Sequence, residues 1–276
     1  MTTVLITGTS TGIGRLTAIT LARRGHRVLA TMRTLAKGEA MAKLAADEGL
    51  DLSIVALDVN DQESVDRAIG EAGPIDVLVN NAGVEVKGAI EEITDALARD
   101  QFETNVFGLL RLVRAVLPQM RERNAGVIVN IGSIAGVVTR PYSGIYAASK
   151  HAVNAITESL HYELDSFGVR VHVVEPGHFE SELLANAQHA SGPNSPYQGD
   201  SDRLDSAMTR IMTGGAPADP QAVADRIADI IDDPDAKVHQ PVGDDADMII
   251  AVRATTDFEG FEATMRSTLD WPRTRG

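Results

Sequence analysis

The stretch that decides the fold is TVLITGTSTGIG, Thr3–Gly14, followed by the helical pattern RLTAITLARRG. A run of β-branched and apolar residues therefore leads through three glycines into a helix. In that context Gly8 allows a tight turn, Gly12 lets the backbone approach a pyrophosphate, and Gly14 lets the helix pack on the strand. The N-terminal end of the helix would then face the phosphates with free N–H groups. The alternative is a plain strand-to-helix turn, which often uses one glycine.

Short apolar runs alternate with helical patterns along the rest of the chain. The runs are continuously apolar, as expected for strands that are covered on both faces. This alternation predicts an α/β fold, with a doubly wound parallel sheet in a single domain over residues 1–276. The predicted strands are Thr3–Thr7, Arg27–Thr31, Leu52–Leu57, Val77–Asn80, Val127–Ile131 and Val169–Val174, with a possible edge strand at Val238–Val242.

Two long helices are predicted at roughly Thr94–Arg123 and Tyr146–Ser166. Residues 178–220 contain many Gly, Pro, Ser and Asp residues without a clear period, which predicts a functional loop that contacts substrate. A helical extension is predicted over about residues 245–276. Its apolar side chains are spaced like one face of an amphipathic helix at Phe258, Phe261, Met265 and Leu269.

The composition excludes several classes of function. The formal net charge of −14 disfavours nucleic acid and anionic membranes as partners, and the absence of cysteine excludes disulfides and thiolate metal sites. The seven histidines are scattered, and the acidic runs Asp232–Asp235 and Asp244–Asp247 are interpreted as solvated turns, so no metal site is expected. The opening residues contain no signal peptide pattern and no apolar run could span a bilayer, so we expect a cytoplasmic protein.

Tyr146 and Lys150 stand one helical turn apart among small and apolar residues. Their side chains would share one face of a helix. A phenol ordinarily titrates near pH ~10, and an adjacent ammonium is expected to lower its pKa toward neutrality. The pair is thus a candidate general acid and base. The alternative is a tyrosine at the edge of the core and a lysine in solvent.

Two further polar residues are candidates for the same site. Ser133 follows the fifth predicted strand, whose carboxyl end should lie beside a ligand crevice, although a serine there could equally cap a turn. Asn105 lies among apolar residues of the long helix and could be a core amide whose hydrogen bonds are all satisfied.

Five motifs occur in order at the predicted strand ends and helices. After the GxxxGxG turn come NNAG at Asn80–Gly83, FETNVFG at Phe102–Gly108, NIGSIAG followed by YAASK, and EPG at Glu175–Gly177. Over roughly residues 3–182 the chain resembles the single-domain short-chain dehydrogenase/reductase family. It looks most like the branch that contains 17β-hydroxysteroid and retinol dehydrogenases. The resemblance implies a Rossmann-type fold and an NAD(P)-dependent enzyme that transfers a hydride between a nicotinamide and a small alcohol or carbonyl compound.

The same resemblance implies roles for the four polar residues. Tyr146 would exchange the proton with the substrate oxygen, and Ser133 would hold that oxygen. Lys150 would lower the pKa of the phenol and bind the nicotinamide ribose, while Asn105 would hold a water that relays protons to the lysine.

The cofactor preference is expected to be NADP over NAD. Met32 stands where NAD-dependent members carry Asp, and the guanidinium of Arg33 follows, which suits a 2′-phosphate. Thr11 departs from the basic residue of many NADP-dependent members, and Ser181 replaces a threonine of the family pattern. The expected cofactor contacts are Gly8, Ser10, Thr11, Gly12, Ile13, Gly14, Arg33, Asp58, Val59, Asn81, Ala82, Gly83, Tyr146, Lys150, Pro176, Gly177, Phe179 and Ser181.

Two alternatives from other classes stay open. A non-catalytic NAD(P)-sensing regulatory protein can share this fold but typically lacks the Tyr–Lys pair, and a methyltransferase would make Ser133, Tyr146 and Lys150 coincidences. The helix Tyr146–Leu164 is apolar or small nearly all round, so a second buried face is expected in a homodimer or homotetramer.

Overall fold

The computed structural model describes residues 2–179, 183, 186–192, 194–213, 218–269 and 271. Within them a seven-stranded sheet has the order β3-β2-β1-β4-β6-β7-β9, and every neighbouring pair is parallel. The predicted doubly wound α/β fold is confirmed. The strands are β1 Thr3–Ile6, β2 Arg27–Met32, β3 Leu52–Ala56, β4 Val77–Asn80, β5 Val86–Lys87, β6 Gly126–Ile131, β7 Val169–Pro176, β8 Gln188–His189 and β9 His239–Val242. The short strands β5 and β8 pair with each other outside the main sheet.

Helices cover both faces of the sheet because each central strand is apolar on both sides. In β1, Val4 and Ile6 belong to one buried cluster, whereas Leu5 belongs to the cluster on the opposite face. The helices are α1 Gly12–Arg23, α2 Glu39–Glu48, α3 Gln62–Ala72, α4 Asp95–Phe102, α5 Leu109–Arg123, α6 Gly144–Leu164, α7 Gln198–Thr213, α8 Gln221–Asp232, α9 Asp244–Thr255 and α10 Phe258–Thr268. No helix in the described ranges is long and apolar enough to cross a membrane.

The long helix predicted over Thr94–Arg123 is interrupted. Between α4 and α5 the residues Glu103–Gly108 form a π-helical segment, which places one more residue in the turn than an α-helix would. Asn105 lies within this segment and is buried. The apolar pattern of the sequence did not indicate the interruption.

The interpretation of residues 178–220 as an irregular loop is wrong in part. They contain the 16-residue helix α7 and the short strand β8. Leu204 and Ala207 of α7 are buried in a small cluster with Leu269 of the C-terminal segment. Helix α7 thus packs against a segment that is distant in the sequence. Its many polar residues hid the helical period from sequence analysis.

The acidic run Asp244–Asp247 is not a solvated turn. It begins α9, where carboxylates lie in the first turn and interact favourably with the helix dipole. Asp245 also accepts a 2.7 Å hydrogen bond at Oδ2 from the backbone N–H of His178. This contact joins the C-terminal helices to the turn after β7.

Candidate functional site

A cavity of about 1110 Å³ lies along the carboxyl edge of the sheet. Because all seven strands are parallel, the turns that follow them meet at this edge, which is where open α/β sheets bind ligands. The volume exceeds the ~300–1,000 Å³ of pockets that hold one drug-sized molecule. The cavity therefore has room for a dinucleotide and a second ligand.

The glycine turn at one end of the cavity fits a pyrophosphate. Gly8 has φ +70°, and a Cβ there would lie 2.8 Å from the Cα of Ala82. A Cβ on Gly14 would lie 2.3 Å from Nδ2 of Asn81, which donates hydrogen bonds to the carbonyls of Thr7 and Gly8 at 2.9 and 3.0 Å. The turn is thus packed directly on the strand end, and α1 begins there with its free N–H groups.

Two cations line the cavity where an adenosine ribose would lie beyond the end of β2. Met32 is buried, whereas Arg33 and Lys37 are exposed and both contribute to the cavity wall. Asp58 and Val59 line the wall after β3. Lys37 was missed from the sequence because it lies in a short 3₁₀ turn, Leu35–Gly38, that no motif marks.

Tyr146 and Lys150 lie side by side on α6, and both are buried. The Nζ atom of Lys150 donates a 2.7 Å hydrogen bond to the carbonyl oxygen of Ile131 and lies 5.7 Å from the centroid of the Tyr146 ring. The alternative of a solvated lysine is therefore wrong. The ammonium faces the phenol ring but is held by the backbone at the end of β6.

The pKa of Tyr146 does not move in the predicted direction. Burial raises it well above its ordinary value, and the charge of Glu85 raises it further, while the Ser133 side chain and the charge of Arg140 lower it. Burial also lowers the pKa of Lys150 to about 8, against the charge of Glu85. The expectation that the ammonium brings the phenol toward neutrality is wrong for the chain by itself, because desolvation dominates at both groups.

Ser133 caps a turn and also lies in the cavity wall. Its Oγ accepts a 3.1 Å hydrogen bond from the N–H of Ala135 and so caps the short 3₁₀ turn after β6. Its side chain also interacts with the Tyr146 hydroxyl and lowers the pKa of that phenol. Ser133 and Tyr146 thus line the same cavity.

Asn105 lies behind the cavity wall. Its Oδ1 accepts from the N–H of Val84 at 2.9 Å, and its Nδ2 donates to the carbonyl of Val84 at 3.0 Å and to Oγ of Ser149 at 3.1 Å. These contacts match the core-amide interpretation. They fix the turn after β4, and the relay of protons through a water stays a prediction.

The remaining predicted cofactor residues surround the same cavity. Ser181 lies outside the described residues. From the turns after β1, β4 and β7 the cavity is lined by Gly8, Ser10, Thr11, Gly12, Ile13, Gly14, Asn81, Ala82, Gly83, Pro176, Gly177 and Phe179. In the part of the chain that the structure describes, no group of three His, Cys, Asp or Glu side chains could hold a metal ion.

Sequence reasoning missed an ion pair beside Tyr146. Glu85, two residues after NNAG, has a side chain that is only 2% exposed, and its Oε1 lies 3.7 Å from Nη2 of Arg140. Ser143, the N-cap residue of α6, donates to the same oxygen at 3.4 Å. The location of Glu85 immediately after a recognised motif was the one available signal.

The C-terminal helices contribute an apolar part of the cavity wall. Met248, Ile249 and Val252 of α9 and Phe261 and Met265 of α10 line it. The cavity lining thus combines the polar groups around Tyr146 with these apolar side chains.

The comparisons with known proteins agree with this geometry. The family model described as short chain dehydrogenase matches residues 2–192. Retinol dehydrogenase 8 of Homo sapiens is 42% identical over 200 residues, which are 69% of this chain and 64% of that protein.

Solved structures resemble the whole chain. A short-chain dehydrogenase from Streptomyces avermitilis is 34% identical, with a TM-score of 0.80 over 97% of this chain and 98% of that one. A variant of actinorhodin polyketide ketoreductase with NADPH is 30% identical, with a TM-score of 0.76 over 87% of this chain and 95% of that one.

Proposed function

The chain belongs to the short-chain dehydrogenase family and is an NAD(P)-dependent oxidoreductase, and from this premise we propose that it interconverts a secondary alcohol and a carbonyl compound with Tyr146 as general acid and base. The observation that carries the proposal is that Tyr146, Lys150 and Ser133 line the same cavity as the glycine turn. A retinol-like alcohol, which is primary and is interconverted with an aldehyde, is proposed as the alternative substrate.

The residues of this chain fit the nicotinamide cofactor. The glycine turn and the start of α1 would hold the pyrophosphate, and Lys150 would bind the nicotinamide ribose. When bound, the nicotinamide supplies or accepts the hydride at the substrate carbon. Tyr146, whose pKa lies above its ordinary value, is protonated at neutral pH and gives its proton to the carbonyl oxygen in reduction. Ser133 holds that oxygen.

We propose a preference for NADP. Arg33 and Lys37 place two cations at the end of the cavity where the 2′-phosphate would lie, and the adjacent Met32 is buried and apolar. The relative with bound NADPH supports the same choice. Assembly as a homodimer or homotetramer is also proposed, supported by Phe107 and Tyr162, which are 48% and 80% exposed. The cytoplasmic location stays a prediction.

The Tyr146→Phe variant tests the reaction. We expect it to bind NADPH, followed by nicotinamide fluorescence, and to lose about 10²- to 10⁴-fold in turnover of carbonyl compounds. Tyr162→Phe is the matched control, since Tyr162 lies on the same helix and is exposed. Equal turnover by Tyr146→Phe and the parent would contradict the proposal. A sensing protein would bind NADPH without turnover in either form, and a methyltransferase would bind neither nicotinamide cofactor.

A further inference from the structure

The carboxyl group of Glu85 is buried in the wall of the cavity although few groups compensate its charge. Its side chain is 2% exposed. Removing a carboxylate from water is costly unless hydrogen bonds and opposite charges replace the solvent. A fully buried acid beside a reacting hydroxyl therefore needs a reason beyond packing.

The protein contacts of this carboxyl group are long. The Nη2 atom of Arg140 is 3.7 Å away, outside the ~2.7–3.2 Å range of an N–H···O hydrogen bond, and Oγ of Ser143 is 3.4 Å away. Both contacts are to Oε1. These two contacts, made by described residues, leave Oε2 unused. Glu85 lines the cavity, so a ligand there could reach its carboxyl group.

The backbone around Glu85 is fixed on both sides. Its carbonyl accepts a 2.9 Å hydrogen bond from the N–H of Gln188, and the next residue, Val86, begins β5, which pairs with β8. On the other side, Val84 is held by the amide of Asn105. The backbone that carries the carboxyl group is therefore held in position before a ligand arrives, as the support of a recognition group must be.

Ser143, which donates to Oε1 of Glu85, precedes Tyr146 by one turn at the start of α6, so this carboxylate lies near the reacting groups. The negative charge of Glu85 affects the pKa values of both Tyr146 and Lys150. A substrate whose carbonyl oxygen meets Tyr146 and Ser133 would thus have its neighbouring substituent beside Glu85. A carboxylate is only an acceptor of hydrogen bonds.

We propose that Glu85, positioned by Arg140 and Ser143, accepts a hydrogen bond from a donor group on the carbon next to the reacting carbon of the substrate. This inference rests on the proposed function of the same site. The substrates are then carbonyl compounds with an adjacent hydroxyl or protonated amine, together with their reduced forms, rather than plain ketones. The apolar wall of α9 and α10 would contact the rest of the molecule.

Three ketones with the same hexyl chain test the inference by turnover: a methyl ketone, the hydroxymethyl ketone and the aminomethyl ketone. We expect the parent to reduce one or both donor-bearing ketones with a kcat/KM at least about tenfold above that of the methyl ketone. Glu85→Met, which has similar length but no acceptor oxygen, should bring the ratio close to one. Glu85→Gln should keep the preference for the hydroxymethyl ketone, because an amide oxygen still accepts from a hydroxyl. It should lose the preference for the aminomethyl ketone, because an amide does not neutralise an ammonium. Glu122→Gln, an exposed acid at the end of α5, is the matched control and should keep the ratio.

Binding of the same ketones to the NADPH complex of Tyr146→Phe gives a readout that does not need turnover. The donor-bearing ketone should bind at least about tenfold tighter than the methyl ketone, and adding Glu85→Met should remove the difference. Adding Glu85→Gln should remove it for the aminomethyl ketone only, because an amide oxygen still accepts from a hydroxyl. Equal affinities, or a preference that survives Glu85→Met, would overturn the inference. That outcome leaves the oxidoreductase function standing if the parent reduces any of the ketones, whereas undiminished turnover by Tyr146→Phe would refute the function itself.

Discussion

Lys150 donates its 2.7 Å hydrogen bond to the backbone carbonyl of Ile131, while its Nζ atom lies 5.7 Å from the centroid of the Tyr146 ring. The ammonium is therefore anchored to the end of β6, and β6 is also the strand that leads to Ser133. The carbonyl is a neutral partner, so burial still penalises the charge, and the pKa of Lys150 falls to about 8. Lys150 therefore titrates within a pH range in which the stability of the folded protein can be measured.

The Lys150→Met variant should reveal this titration in the stability of the protein. A lysine whose pKa falls from 10.5 to about 8 on folding contributes its full stability above pH 10.5 and loses it as the pH falls through about 8. Between about pH 7 and 9.5 the parent should therefore gain about 2 kcal/mol of unfolding free energy relative to Lys150→Met.

Urea denaturation of both proteins at several pH values measures this difference. Lys43→Met is the control, because the side chain of Lys43 is 76% exposed. Its difference from the parent should not change over the same pH range. A constant difference for Lys150→Met would show that the buried ammonium titrates normally.

Replacing Arg33 by Ala should reduce the discrimination between the two cofactors. Loss of charge-assisted hydrogen bonds to a phosphate is worth about a tenfold change in affinity, so the ratio of NADH to NADPH dissociation constants should fall by about that factor. Lys37→Ala should lower the ratio in the same direction. Arg27→Ala, an exposed cation at the start of β2, is the control. Unchanged ratios for both cavity variants would remove the support for NADP.

Gly8→Ala should damage both the fold and cofactor binding. The alanine would need φ near +70° and would press on the backbone of Ala82, so we expect a loss of about 2 kcal/mol or more of unfolding free energy. Gly70→Ala on α3 is the matched control, since it is exposed with open space around it and should gain about 0.5–1 kcal/mol. Thermal denaturation and NADPH titration measure the two effects. Full NADPH affinity in Gly8→Ala would contradict the assigned role of the turn.

Asp245→Ala should weaken the connection between α9 and the turn after β7. The N–H of His178 would lose its acceptor, at a cost of about 1–3 kcal/mol in unfolding free energy, and the affinity for NADPH should fall because Gly177 lines the cavity beside it. Asp247→Ala, an exposed acid in the same helical turn, controls for the helix dipole. If both variants lose the same unfolding free energy and the same NADPH affinity, the hydrogen bond to His178 contributes nothing.

The sequence predicted best where short-range patterns determine the structure. The glycine turn, the strands β1, β2, β3, β4, β6 and β7 of the main sheet, and the location of Tyr146 and Lys150 on one helix all follow from local spacing. The direction of the Lys150 side chain does not, because it depends on the Ile131 carbonyl of another element. Glu85 and Arg140 are 55 positions apart and meet only through the fold. Helix α7 was missed because its buried positions are few, with Leu204 and Ala207 in contact with the C-terminal segment.

The π-helical segment Glu103–Gly108 limits how this protein can be made more robust. Deleting one residue there would close the segment into a regular α-helix, and the side chains of the segment itself, Asn105 among them, would turn about the axis while the flanking helices kept their register. Asn105 could then no longer hydrogen-bond the backbone N–H and carbonyl of Val84, and these bonds stabilise the turn that carries Glu85. Engineering for heat tolerance should therefore leave this irregularity untouched.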